Sequence, residues 1–266
     1  MINLTASAFN ARVADVADPI AIGWVRLAVA AIALAALTRV RVRRLRYQWR
    51  FLAIGAVVAG LNVTYYVAAT RISLGAVTTL GLVGPIGLAV ALSRTRRQLV
   101  GAVLAAVGVV AIAAPWQTAF DAFGVAVALS QAALWVWFIF LAQQLGRSID
   151  EATLAVIALG VAAVLLTPAA VAVGGFPFTD GRATITLLLG GVLGAALPYV
   201  VEMRVLRALS ARRYGLLQSL YPVIGAGAGL VVLHQHLSRL TLAGMALVSV
   251  AAGLAAARRR GPAVAR

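Results

Sequence analysis

The chain has no cysteine, which excludes a disulfide framework and any thiolate metal site. Its two histidines, His234 and His236, are too few to hold a metal by themselves. Charge is scarce: Asp, Glu, Lys and Arg make up only 11% of the 266 residues. Lysine is absent, so all 23 basic residues are arginine, a bias that fits a GC-rich bacterial genome. There is no phosphate-cradling glycine loop with a lysine, no nucleophile elbow, no paired acid/base carboxylates and no His/Glu metal pattern. These absences argue against an ATPase and against a membrane enzyme, and no cofactor or metal is expected. No secretory signal peptide is recognised either.

What is abundant is apolar surface. Hydrophobic residues make up 63% of the chain and its mean hydropathy is +0.99. A soluble domain carries roughly 45–50% apolar residues and about 25% charged ones. The composition is that of an all-α integral membrane protein with no room for a sizeable soluble domain. A net charge of +16 would ordinarily suggest nucleic acid. Here the arginines sit in short joints between apolar runs, the pattern of the positive-inside rule, so nucleic acid is not an expected partner.

A spanning helix needs about 20 mostly apolar residues. By that measure ten candidate spans follow one another: Asn3–Ala17, Ala21–Thr38, Phe51–Thr70, Leu74–Leu92, Leu99–Trp116, Phe123–Leu145, Ala152–Val173, Arg182–Met203, Tyr214–Leu233 and Leu240–Ala257. Span 1 is weak, being short and holding Arg12 and Asp15, which form a pair one turn apart. It reads as a truncated first helix or as the result of a late start at Met1. With the N-terminus inside, the inner joints and tail collect 18 arginines and the outer joints only Arg71, Arg182 and Arg239. That bias places both termini in the cytoplasm and requires an even number of spans.

One segment occurs twice, its prolines 137 residues apart. LNVTYYVAATRISLGAVTTLGLVGP ends at Pro85, and LPYVVEMRVLRALSARRYGLLQSLYP ends at Pro222. The copies fall on spans 3–4 and 8–9, five spans apart, so the second half is inverted relative to the first. Span 5 resembles span 10 in the same register, Gly101 matching Gly244. Two inverted five-helix halves are therefore expected, residues 1–117 and 118–266. Gly/Pro-interrupted segments in matching positions of two halves are the best sequence pointer to a transporter's midplane site.

Polar residues gather in these segments. Asn62, Thr64, Tyr65 and Tyr66 lie on span 3; Thr78, Thr79 and Gly81 precede Pro85; Tyr199 and Glu202 lie on span 8; Gln218, Ser219 and Tyr221 precede Pro222. Each alone reads as interhelical glue, and the prolines alone as packing kinks; their clustering favours a shared cavity. Gln131 and Trp135 share a face of span 6 at i, i+4, and serve equally as cavity wall or, for the tryptophans Trp135 and Trp137, as belt residues. Glu202 is the one carboxylate in a strong span, a functional residue by default. The competing reading is an ion pair with Arg204 or Arg207 at the helix end. Gly190/Gly194 and Gly225/Gly229 are small-residue packing motifs.

At the two proline segments the chain resembles the drug/metabolite transporter superfamily of EamA type, and most nearly its bacterial threonine/homoserine exporters. The resemblance implies ten helices in two inverted five-helix halves and export of small amphipathic metabolites. Pro198, Tyr199, Glu202 and Met203 match the family's helix 8 pattern; Gly84, Pro85, Ser219, Leu220 and Pro222 match its helix 4 and 9 patterns. Such exporters often carry a glutamate where this chain has Gly81 and another where it has Tyr221, so this cavity holds fewer cation-binding groups.

The expected function is secondary transport in a bacterial inner membrane, with export of amino acids or related small metabolites by alternating access. The expected cavity residues are Asn62, Tyr65, Tyr66, Thr78, Thr79, Gly81, Pro85, Gln131, Trp135, Tyr199, Glu202, Gln218, Tyr221 and Pro222. A multidrug or aromatic-metabolite exporter and a non-transporting scaffold subunit are the alternatives. The expected partners are a small-molecule substrate and the lipid bilayer; proton coupling, with Glu202 as carrier, and a homodimer are compatible with this reading.

Overall fold

The computed structural model describes residues 18–38, 48–72, 74–113, 121–173, 181–218, 220 and 239–256. Every regular element among them is helical. In chain order these are α1 (Pro19–Leu37), α2 (Gln48–Ala69), α3 (Leu74–Ala91), α4 (Arg96–Ala113), α5 (Ala122–Leu145), α6 (Glu151–Ala172), α7 (Gly181–Gly191), a π-helical turn (Val192–Ala196), α8 (Leu197–Ala208), α9 (Ala211–Gln218) and α10 (Arg239–Ala256). Helices α1 to α6 correspond to spans 2 to 7. Span 8 is built from α7, the π turn and α8 together, α9 opens span 9, and α10 is span 10. Span 1 and most of span 9 lie outside the described residues.

Five described helical stretches are long and apolar enough to cross a bilayer: Ile20–Leu37, Trp49–Ala69, Ala122–Leu145, Glu151–Ala172 and Leu187–Ala208. Ala76–Ala91 and Leu242–Ala251 are shorter apolar helices. Side chains such as Ile32, Val107, Trp137, Val164 and Leu193 are exposed on this bundle, as they must be where lipid rather than water surrounds the helices. Trp137 thus belongs to the outer surface, whereas Trp135, two residues away, packs against the main core.

Aspartates start three of the helices. Asp18 accepts the Ile20 N–H at 2.8 Å, with Pro19 in the first turn of α1. Asp121 accepts from Gly124 at 2.7 Å and Asp150 from Thr153 at 2.9 Å. Each satisfies one of the orphan donors of a helix N-terminus. Burial pushes the Asp150 carboxyl up, but the Thr153 hydrogen bonds outweigh it and hold the group below the usual aspartate range.

The main core joins α1, α2, α5, α6, the π turn, α8 and α9, with Leu27, Ile54, Phe138, Leu159, Met203 and Tyr214 among its buried members. The α8–α9 joint is a sharp one: α8 ends in extended backbone at Leu209, whose carbonyl accepts from Gln143 Nε2 on α5 at 2.9 Å. That bond fixes the joint to the bundle and turns α9 back toward α3. On the other side, α4 and α10 lie against each other so closely that a Cβ added at Gly108 would come within 2.8 Å of the Gly244 carbonyl.

Candidate functional site

Five acidic residues fall among the described positions. Asp18, Asp121 and Asp150 cap helices, and Glu151 occupies the first turn of α6, where a negative charge complements the helix dipole. Glu202 alone has no such post. It lies on α8 inside the apolar stretch Leu187–Ala208.

The ion-pair reading of Glu202 does not hold. Arg204 and Arg207 both turn to Glu151, at 3.7 and 3.4 Å. Glu202 instead accepts a hydrogen bond from the Tyr214 hydroxyl on α9. That hydroxyl accepts in turn from Gln218 Nε2 at 2.9 Å. A phenol has one proton and two lone pairs; here the proton goes to Glu202 and one lone pair to Gln218. Tyr214 is 1% exposed. Glu202 Oε2 makes no hydrogen bond with the described residues, so the carboxylate keeps one oxygen for a proton or a cation. Tyr199 stands one turn before Glu202 and meets Phe138 edge to face at 6.3 Å.

The proline segment of the first half abuts this cluster. A Cβ placed on Gly215 would lie 2.1 Å from the Pro85 carbonyl, and one placed on Gly84 would lie 2.1 Å from the Ala132 carbonyl. Glycine at both positions is what lets α9 and α5 approach the backbone of α3. Pro85 sits inside α3, where it removes a backbone donor. Its neighbour Gly81 faces Gln131, whose Oε1 would lie 3.4 Å from an added Cβ. Gln131 is 7% exposed, and that Oε1 is buried with no hydrogen-bond partner. Thr79 is buried beside it on α3 while Thr78 is only partly so. Of the predicted residues, Glu202 and Gln218 meet at the Tyr214 hydroxyl, and Gln131 on α5 faces Gly81 on α3. Tyr221 and Pro222 lie outside the described residues.

Asn62, Tyr65 and Tyr66 form a second polar group, on α2. Tyr65 and Tyr66 meet edge to face at 5.4 Å. The Tyr66 hydroxyl accepts from Arg26 Nη1 at 2.8 Å, and Arg26 Nη2 donates to the Gly194 carbonyl in the π turn at 3.2 Å. Asn62 Nδ2 bonds the Val58 carbonyl on its own helix at 3.0 Å. Two functional candidates here escaped the sequence reading. Tyr214 looks like an ordinary buried aromatic until α9 folds back. Arg26 was visible as a lone charge in an apolar helix, but counts only as a topological charge until its surroundings are known.

The chain is similar to known proteins. Residues 122–256 match the model of the EamA-like transporter family. The chain is 29% identical over 211 residues to the threonine/homoserine exporter RhtA of Salmonella typhimurium strain SL1344, covering 78% of this chain and 71% of that protein. It is 29% identical over 199 residues to RhtA of Escherichia coli K12, covering 74% and 67%. A crystal structure 15% identical in sequence superposes with a TM-score of 0.77 over 96% of this chain and 94% of its own, a likeness of fold alone. The family match spans just over half of the sequence, and with an all-helical, membrane-capable structure around it, this protein belongs to the EamA-like transporter family.

Proposed function

We propose that this transporter exports amino acids or closely related small metabolites across a bacterial inner membrane, by alternating access between two inverted five-helix halves, residues 1–117 and 118–266, with both termini in the cytoplasm. The observation that carries the site is Glu202, a carboxylate in an apolar helix that accepts from the buried Tyr214 hydroxyl through Oε1. A carboxylate so placed takes up a proton or an ammonium group, and intramembrane acids of this kind mark substrate and proton pathways. Similarity to proteins named threonine/homoserine exporters supports an amino-acid substrate. The contact of Pro85 with Gly215 brings the two proline segments together, which supports a cavity lined by both halves.

The test is transport in proteoliposomes. Threonine or homoserine loaded inside should leave faster under an imposed proton gradient, and Glu202→Gln should abolish that acceleration. Full proton dependence in Glu202→Gln would overturn the role of Glu202.

A second reading, export of multidrug or aromatic compounds, is favoured by Trp135, Tyr199 and Tyr214 around the site and by glycine at position 81. Efflux of lipophilic cations but not of amino acids would select it. A dry scaffold would leave Gly81→Cys, in a chain with no other cysteine, unreactive toward a water-soluble thiol reagent in every state.

A further inference from the structure

Arg26 is the sole charged residue of α1, seven residues into a helix otherwise apolar throughout. A guanidinium there is costly unless a partner compensates its charge. Among the described residues no carboxylate does so; its hydrogen-bond acceptors are the neutral Tyr66 hydroxyl and Gly194 carbonyl. The Gly194 carbonyl is available for a definite reason. Its ordinary helical donor would be the N–H four residues on, and that residue is Pro198, which has none. The π turn Val192–Ala196 accommodates the mismatch, a distortion that recurs at functional sites.

Supplying a donor to one orphan carbonyl does not require a positive charge; a glutamine or a tryptophan would serve. The charge itself is unspent, and Nε is buried with no acceptor. Nε together with an adjacent Nη is the side of a guanidinium that grips a carboxylate in two parallel bonds. Glycine at position 23, one turn before Arg26, is what lets α2 pack this close to α1: a Cβ there would strike the Tyr66 ring at 2.8 Å and lie 3.8 Å from Asn62 Oδ1. Asn62 spends its Nδ2 on Val58, leaving Oδ1 as an acceptor on the same face.

We infer that Arg26, steadied by Tyr66 and the Gly194 carbonyl, binds the carboxylate of the transported molecule. The site takes small carboxylates, and Asn62 Oδ1 receives the ammonium when the molecule is an amino acid. This rests on the proposed export of amino acids and names the group by which they are held. Gly194 and Glu202 are eight residues apart on one helical run, about 12 Å along its axis. One small amino acid cannot span that distance, so the carboxylate station is distinct from Glu202.

The experiment is competition against radiolabelled threonine bound to the purified protein, using threonine and threoninamide, which differ only at the carboxylate. Wild type should prefer threonine at least ten-fold. Arg26→Gln should lose that preference and bind threonine at least ten-fold more weakly. Arg26→Lys keeps a charge and a donor for Gly194 but lacks the fork, and should bind at least three-fold more weakly. Wild-type affinity in either variant, or undiminished discrimination in Arg26→Gln, would overturn the assignment. Should wild type bind no threonine, the amino-acid reading falls separately; lactate against lactamide then decides on Arg26, an Arg26-dependent preference for the acid supporting it and none overturning it.

Discussion

Glu202 and Tyr214, twelve residues apart, face each other across the joint between α8 and α9. A carboxylate that enters an apolar helix is held there by a phenol from the next helix, and the phenol is held by Gln218. The joint at Leu209 and Ser210 exists at the length that lets α9 fold back and deliver Tyr214 to α8.

Tyr214→Phe keeps the ring and removes the hydroxyl. It strips Glu202 and Gln218 of a shared partner, and buried groups left unpaired cost about 1–3 kcal/mol. Transport should fall at least ten-fold while the protein still folds. A double-mutant cycle with Glu202→Gln should be strongly non-additive, because the two residues act through one bond. Additive losses in transport assays would separate them.

Gly215→Ala and Gly84→Ala each drive a methyl into a backbone carbonyl at 2.1 Å. Overpacking of this kind costs roughly 1–3 kcal/mol, and each should lower the melting temperature in detergent. Gly87→Ala is the control, since an added Cβ there meets nothing within 4 Å. It should melt like wild type, or slightly higher through helix propensity.

Gly81→Glu places a carboxylate where the resemblance to threonine/homoserine exporters implies one. It would stand beside the unpartnered Oε1 of Gln131 and add a cation-binding group to the cavity. Binding of ammonium-bearing substrates should strengthen several-fold relative to their uncharged analogues. The substrate competition profile of the variant checks this.

Asp150 makes a pH-dependent contribution of known sign. Its folded carboxyl is held below the usual aspartate range, so the stabilisation is complete at neutral pH and is lost as pH falls through that range toward the folded value. Asp150→Asn preserves the helix cap, asparagine being an equal capping residue, and should flatten this part of the acid-melting profile. Asp150→Ala should lower stability by about 1 kcal/mol at neutral pH, and by less once acid protonates the wild-type carboxyl.

Spans 2 to 8 and 10, which fall on described helices, were readable because a bilayer imposes a length on each apolar segment. Glu202 was readable for the same reason, as a single carboxylate where apolar residues are required. Its partner was not, since Tyr214 becomes a partner only through the fold-back of α9, and Arg204 and Arg207 were nearer in sequence. The π turn was also invisible as such: Pro198 announces a missing donor, but not whether the helix kinks, breaks or widens. Arg26 carried a signal in its isolation, an arginine with no acid one turn away on its own helix. Its acceptors come from α2 and from a carbonyl 168 residues on, a pairing no local pattern encodes.

Where Gly215 meets the Pro85 carbonyl, the closest approach is backbone against backbone, with the small Ala89 side chain beside it. Interdigitated large side chains would hold α3 and α9 at one fixed angle, like meshed teeth. Here there is no long tooth at the point of closest approach. In the proposed cycle this contact serves as a bearing, and one added methyl on it acts as a brake.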